Sequence, residues 1–295
     1  MPRRERGKLN VDVSVVIPTH ERPDLVGRAI ASAFSQTARP AEVIVVDDAG
    51  DSETERVVRA LVQKYGPVLK YVPTEPAPIS GASASRNAGV AVASRGLVAF
   101  LDDDDWWDDR YLEQAVAARA LADADLVVTP SWMVVEGVRE EWTQPSPRAF
   151  ASFRPGVTGS NVLITREAFD SVSGFDAEMW VMNDVDFFVR LRESGVAVVA
   201  ASDRLVFHEG RGDGHLTSPS ERRAQGLEHF LAVHRFRMDR SAVRLLKRRI
   251  HAARISHDAP PLQRIGHQLG VVWFSSPADV SGTLRRRLRG RRRAH

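Results

Sequence analysis

The chain contains no cysteine, so disulfides and thiolate metal sites are excluded. No stretch approaches the roughly 18 consecutive apolar residues of a membrane-spanning helix. No apolar run follows Met1-Pro2-Arg3-Arg4-Glu5-Arg6 to make a signal peptide, so the expected location is the cytoplasm. No internal repeat is visible, which argues against a solenoid or propeller. What is present is ordinary for a globular protein: 295 residues, 43% hydrophobic and 27% charged, enough to bury a sizeable core. That length fits one large domain, or one domain plus an appendage. The net charge of +3 hides a strong asymmetry. Residues 235–295 are rich in arginine and poor in acid, while the rest of the chain is acidic.

Short β-branched runs alternate with helical spacing along the first half. Residues 13–17, 43–46, 68–72 and 97–101 read as buried strands. Residues 24–34, 53–65, 83–93 and 110–121 read as helices, the first two from apolar residues recurring at three- and four-residue intervals. Such alternation predicts an α/β fold whose mainly parallel sheet has helices on both faces. Ligands of such sheets bind beyond the carboxyl ends of the strands. Thr19 and Glu21, Asp47 and Asp48, and Asp102 to Asp105 all fall at those ends. Residues 125–163 read as less regular. Helices are expected near 167–172 and 184–193, short strands near 196–200 and 204–207, and helical pattern from 219 to 255. The expected organisation is a domain over 11–215, a helical C-terminal extension over 216–283 and a basic tail over 284–295.

Four consecutive carboxylates, Asp102-Asp103-Asp104-Asp105, repel one another unless a cation or basic group neutralises them. Mg²⁺ and Mn²⁺ take oxygen ligands, typically one or two carboxylates with substrate phosphates. If the segment is extended, Asp102 and Asp104 point the same way and can serve one ion. A solvated, helix-capping acidic loop is the plain alternative. A carboxylate at Asp47 or Asp48 suits a nucleobase imide or a ribose hydroxyl, or simply caps a turn. Arg86, near a helix start, suits a diphosphate. Asp184 begins a helix beside aromatic residues, as a general base or as a helix cap. His208 is weighed as a metal or phosphate ligand, and as neither. Trp132, Trp142 and Gly159-Ser160-Asn161 lie in the irregular stretch, where aromatic faces and polar groups suit sugars but tryptophans also pack cores.

Taken in order, these segments resemble family 2 glycosyltransferases of the GT-A fold. The matching pieces are Val-Val-Ile-Pro-Thr-His-Glu-Arg-Pro (15–23), Val-Ile-Val-Val-Asp-Asp (43–48), Ala-Ser-Arg-Asn-Ala-Gly (84–89), Phe-Leu-Asp-Asp-Asp-Asp (100–105), Gly-Phe-Asp (174–176) and Asn-Asp-Val-Asp-Phe-Phe-Val-Arg-Leu (183–191). The resemblance covers about 11–210 and implies a metal-assisted, inverting transfer from a nucleotide-sugar, UDP favoured, to a glycan or lipid-linked hydroxyl. It implies that Pro18, Thr19 and Glu21 line the nucleoside pocket and that Asp47 or Asp48 reads the base. Arg86 would lie near the diphosphate or the aspartates, and Asp102 and Asp103 on the donor. Asp102 and Asp104 would hold Mg²⁺ or Mn²⁺, with His208 as a weaker further ligand. Asp184 would be the base, and Trp132, Ser160, Asn161 and Asn183 would face the acceptor. Asn183 stands where the family usually has Glu, and His20 where Tyr is common. A nucleotidyltransferase or a non-catalytic nucleotide-sugar-binding protein are the rival readings. The first is disfavoured because 15–23 has no glycine-rich loop.

The tail lies outside the resemblance. Its seven arginines between 285 and 293 suit a solvated end, an anionic membrane surface or phosphate backbones. Without an aromatic-interleaved basic surface, nucleic acid is not expected as a partner.

Overall fold

The computed structural model describes residues 9–74, 81–150, 152–210, 219–255 and 261–275. Two compact units divide the chain, Met1–Gly212 and Asp213–His295. The basic tail therefore lies outside the described residues.

In the first unit the strands are β1 (Leu9–Thr19), β2 (Ala38–Asp47), β3 (Leu69–Pro73), β4 (Leu97–Phe100), β5 (Trp106–Trp107), β6 (Leu126–Val128), β7 (Ser131–Val135), β8 (Val138–Thr143), β9 (Val162–Thr165), β10 (Val198–Ala200) and β11 (Val206–Glu209). The helices are α1 (Pro23–Phe34), α2 (Ser52–Tyr65), α3 (Ala82–Val92), α4 (Tyr111–Ala122), α5 (Pro147–Phe150), α6 (Arg166–Ser171) and α7 (Asn183–Glu193). Seven strands form one sheet in the order β10-β6-β9-β4-β1-β2-β3. All neighbours in it are parallel except β9, which runs antiparallel between β4 and β6. A smaller sheet has the order β5-β11-β7-β8.

β1 is central, and its alternation shows why. Val13, Val15 and Ile17 enter one core with α1, α2 and α4 residues such as Ile30, Val58 and Leu112. Val16 enters the other, with Val90 of α3, Phe169 of α6 and Phe187 and Leu191 of α7. A strand buried on both faces reads as an unbroken apolar run, as 13–17 does. Register then aligns the strand ends: Thr19 pairs with Asp47, and Asp47 with Pro73. The chain of β4 holds to β1 one step further, Leu101 N–H donating to Val16 O at 3.0 Å, and only then releases the aspartates.

Gly89 brings α3 hard against this sheet. A Cβ there would run into Cγ1 of Val16 and sit 3.1 Å from Cγ2 of Val46. Ser85 and Arg86, four and three residues earlier on the same helical face, are thereby held at the strand ends.

The stretch 125–163 is more ordered than its sequence suggests, containing β6, the β7–β8 hairpin and α5. Its strands are short, and β8 is exposed along most of its length, so no apolar periodicity announced it.

In the second unit the expected helix over 219–255 is two helices, α8 (Glu221–His234) and α9 (Arg240–Ala253). A 3₁₀ turn at Arg235–Arg237 ends the first, and Asp239 caps the second by accepting from Ala242 N–H at 2.7 Å. A further helix, α10 (Pro261–Trp273), follows.

Candidate functional site

The first group of site residues lies where β1 and β2 end. Pro18 and Thr19 are buried there, and Thr19 Oγ1 donates to Asp103 Oδ2 at 2.8 Å. Asp47 is wholly buried and accepts from the Tyr71 hydroxyl at 2.8 Å and from Ala49 N–H at 3.1 Å. Asp48 accepts from Ser85 Oγ at 3.2 Å and meets His20 Nδ1 at 2.6 Å. Both carboxylates are thus positioned from the neighbouring element. Glu21 is exposed in a left-handed turn, φ 51°, beyond the buried strand end rather than beside Thr19 in it.

The aspartate run is a turn. Asp105 N–H donates to Asp102 O at 3.1 Å, so the alternation expected of an extended segment does not apply. Each carboxylate has its own surroundings. Asp102 is ion-paired with Arg86, and its N–H donates to Ser160 Oγ at 3.0 Å. Asp103 and Asp104 share Arg22, whose Nη1 lies 3.1 Å from each. Asp105 is buried and accepts from Ser160 Oγ at 2.5 Å and lies 2.6 Å from His208 Nδ1. Arg22 does not neutralise the cluster. Burial and the charges of Asp105, Asp102 and Asp103 push Asp104 up to about 7.

Among the described residues no three His, Asp or Glu side chains gather as a metal-ligand set. A cation here would therefore need oxygens from a bound phosphate as well, which is how Mg²⁺ is commonly held. Asp104, with an excess of negative charge around it that Arg22 offsets only in part, fits that need. His208 does not. Its Nδ1 is engaged by Asp105 and its Nε2 lies 3.3 Å from Thr158 Oγ1, so neither nitrogen is left for a metal. Burial disfavours its charge, but Asp105, Asp102 and Asp104 together raise its pKa. His208 is a buttress behind the aspartates rather than a ligand.

Asp184 is the second residue of α7, whose cap Met182 is left-handed, φ 60°. Burial raises its pKa; Arg86 opposes the rise and Asp102 adds to it. Asn183 Nδ2 donates to Ser83 Oγ, so the start of α7 lies against α3, the helix that carries Arg86. Arg86 is only 3% exposed, with its guanidinium carbon 5.2 Å from the Phe175 ring. Its Nη2 serves Asp102, but its Nε and Nη1 are buried with no hydrogen-bond partner among the described residues. Buried donors are nearly always paired, so two open ones at a site call for an anion.

Several residues expected at the acceptor are used inside the protein. Asn183 Nδ2 donates to Ser83 Oγ at 3.0 Å, tying α7 to α3. Asn161 is fully buried; its Nδ2 donates to Thr129 O and Gly156 O at 2.8 Å, and its Oδ1 accepts from Thr158 N–H. Ser160 is fully buried between Asp102 and Asp105. Trp132 is half-buried, with its indole N–H donating to Arg204 O at 3.1 Å, whereas Trp142 is 57% exposed. Two contributors escaped the sequence reading. Arg22 was visible only as the lone cation of 15–23. Gly159 presses against Arg86 and Asp102, and no local signal marks that contact.

The family model for Glycosyl transferase family 2 matches residues 14–184. The uncharacterized glycosyltransferase YwdF of Bacillus subtilis is 27% identical over 232 residues, 75% of this chain and 84% of its own. The GalNAc(5)-diNAcBac-PP-undecaprenol beta-1,3-glucosyltransferase of Campylobacter jejuni is 38% identical over 93 residues, 32% of this chain and 29% of its own. Among solved structures, the Pyrobaculum calidifontis mannosyltransferase PcManGT in complex with GDP-Man and Mn²⁺ superposes with a TM-score of 0.58 at 20% identity, covering 94% of this chain and 80% of that one. Staphylococcus aureus TarS 1-349 in complex with UDP-GlcNAc gives 0.57 at 18%, covering 90% and 71%. The mostly parallel sheet flanked by helices is the GT-A fold of these neighbours.

Proposed function

The chain belongs to glycosyl transferase family 2 and is a glycosyltransferase, and from that premise we propose that it moves a sugar from a nucleoside diphosphate, uridine favoured, to a hydroxyl of a glycan or lipid-linked acceptor with inversion. The observation that carries the reading is the buried Arg86, ion-paired with Asp102 and left with two open donors. Asp184 takes the proton of the acceptor hydroxyl as its oxygen bonds to the anomeric carbon. The bond from that carbon to the diphosphate oxygen breaks on the opposite face, so one displacement inverts the centre. The open Arg86 donors receive the charge that collects on the departing diphosphate. Pro18 and Thr19 flank the nucleoside and Asp47 or Asp48 reads its base, with Asp103 holding Thr19 from behind. Asp104, with Asp102, would hold Mg²⁺ or Mn²⁺ against the same diphosphate; when bound, that ion supplies further neutralisation of the leaving group. Trp142 offers an exposed face to the acceptor. The named substrates of the Campylobacter relative and of TarS support a lipid-linked acceptor and a UDP donor, and work at the cytoplasmic face of a membrane accords with such an acceptor.

A nucleotide-sugar panel tests the donor. The sugar nucleotide that binds the folded state best raises its apparent stability most. A UDP-sugar should head the ranking and then be turned over with an added acceptor. Stabilisation by GDP-sugars alone would remove the uridine assignment, and stabilisation without transfer to any glycan or lipid-linked hydroxyl would remove the acceptor class.

Asp104 supplies a second test. Its folded pKa of about 7 lies above the 3.8 of an ordinary aspartate, so between those values the folded chain holds a proton that the unfolded chain has lost. Stability contributed by this group is therefore lost as pH rises through that window. Without divalent cation, the melting temperature should fall from pH 4 toward pH 7, and Asp104→Asn should flatten the decline. Cation competes with the same proton, so calorimetric affinity for Mn²⁺ with UDP should increase as pH rises through about 7. A pH-independent affinity, or one unchanged in Asp104→Asn, would remove Asp104 from the cation site.

A further inference from the structure

α10 is a 13-residue helix with two unlike faces. Its inner face packs on α9 through His267, Gly270 and Phe274. His251 of α9 stacks on Phe274 at 5.6 Å, and a Cβ on Gly270 would press 2.6 Å from the His251 ring. Its outer face carries Ile265, Leu269, Val272 and Trp273, which fall on one stripe of the helix and are 52%, 64%, 71% and 78% exposed. The helix is far too short to cross a bilayer, and among the described residues no helix is long and apolar enough to do so.

The charge beside this stripe is of one sign. Arg240, Arg244 and Lys247 lie exposed along one side of α9, at four- and three-residue spacing. Arg244 donates to Phe274 O at 3.3 Å and to Ser275 O at 2.6 Å, and Lys247 Nζ lies 5.6 Å from the Phe274 ring centroid. These cations therefore flank the end of α10 that bears Trp273. The nearby acids are already committed. Glu221 and Glu228 are both paired with Arg254, and Asp239 caps α9. The sequence then adds seven arginines between 285 and 293, a short distance beyond the helix.

We infer that α10 lies in the interface of an anionic membrane, with Ile265, Leu269, Val272 and Trp273 among the acyl chains and the cations of α9 at the headgroups. An apolar stripe ending in tryptophan and bordered by basic residues is the pattern of an interfacial helix. Electrostatic attraction from Lys and Arg near an anionic leaflet adds to the burial of the stripe. A second copy of the chain fits less well. A two-fold contact would set the stripe against its own copy and give the flanking Arg244 and Lys247 no opposite charge to meet. The inference is independent of which donor or acceptor the catalytic unit uses.

The test is co-sedimentation of the full chain with vesicles of phosphatidylcholine alone and of phosphatidylcholine mixed equally with phosphatidylglycerol. The parent should pellet with the mixed vesicles and much less with neutral ones. Leu269→Glu combined with Val272→Glu should weaken that partition by about tenfold or more, although the arginine tail is intact. Trp273→Ala provides a second variant at an exposed position, and an unchanged melting temperature verifies that each is folded. Sedimentation velocity on the same proteins reads self-association. Equal pelleting of the double variant and the parent overturns the inference, as does equal pelleting of the parent with neutral and mixed vesicles. So does a parent dimer that the double variant dissociates while vesicle partition stays unchanged, because the stripe is then a contact between copies.

Discussion

Asp184→Asn is expected to lower turnover by roughly 10²- to 10⁴-fold, the range attributable to a positioned general base. Donor affinity should survive, because the substitution keeps the shape of a side chain in the first turn of α7 and alters only its ability to accept a proton. The parent should gain activity as pH rises through the Asp184 pKa, which burial has moved upward and which Arg86 keeps from moving further. The variant should lose that limb of the profile. Single-turnover transfer and calorimetric UDP binding, measured together, separate the two effects. Transfer at the parental rate, with the pH limb intact, would assign the proton to another group.

Gly159→Ala should be nearly as damaging to turnover while sparing the fold. The added Cβ would sit 2.6 and 2.8 Å from the two carboxylate oxygens of Asp102, and closer still to Arg86 Nη2. Both neighbours are side-chain ends, so they can yield without moving the backbone. What yields is the Arg86–Asp102 ion pair, which the proposed mechanism sets at the departing diphosphate. Overpacking of this kind costs about 1–3 kcal/mol of stability, whereas a displacement near 1 Å at a reacting centre can cost about 10² in rate. A folded protein with a modestly lower melting temperature and a large fall in kcat is the expected result. Parental kcat in a folded Gly159→Ala protein would show that the position of the Arg86–Asp102 pair is not critical. Gly159→Ser should be no better than alanine, because it places the same Cβ in the same contact.

These two residues illustrate what could and could not be seen in the amino-acid sequence. Asp184 stands at a helix start beside Phe187 and Phe188, and the helix was legible from its apolar spacing. The ends of β1, β2 and β4 were legible for a similar reason, since runs buried on both faces stop abruptly at polar residues. Gly159 was noticed only as part of a polar tripeptide. Its role depends on contact with Arg86 and Asp102, both far away in the chain, and no local pattern encodes such a meeting. Ser160 and Asn161 suit sugar hydroxyls by their chemistry, and Asn183 is set at the acceptor by the family resemblance alone. Each instead meets internal donors and acceptors, which a buried polar side chain must find somewhere. For His208 the sequence leaves both ligand and non-ligand open, because its partner is not visible there; Asp105 is the fourth of the aspartates, and the turn that they adopt is what hands it to the histidine. The extended geometry assumed for that run failed because Asp105 N–H closes back on Asp102 O.

The antiparallel strand β9 sits in the middle of the sheet, between β4 and β6, although it comes late in the chain. During synthesis β1 to β4 leave the ribosome first, and they can pair among themselves as they appear. The far edge of β4 then stays bare until Val162–Thr165 emerges, exposing unpaired backbone groups that invite wrong partners. The same delay applies to Ser160, which enters with the approach to β9, and to His208, which comes later still. A nascent chain stopped before Ser160 would carry all four aspartates without the serine and histidine that hold Asp105. Competence to bind a donor should therefore appear abruptly, near the end of the first unit's translation, rather than strand by strand.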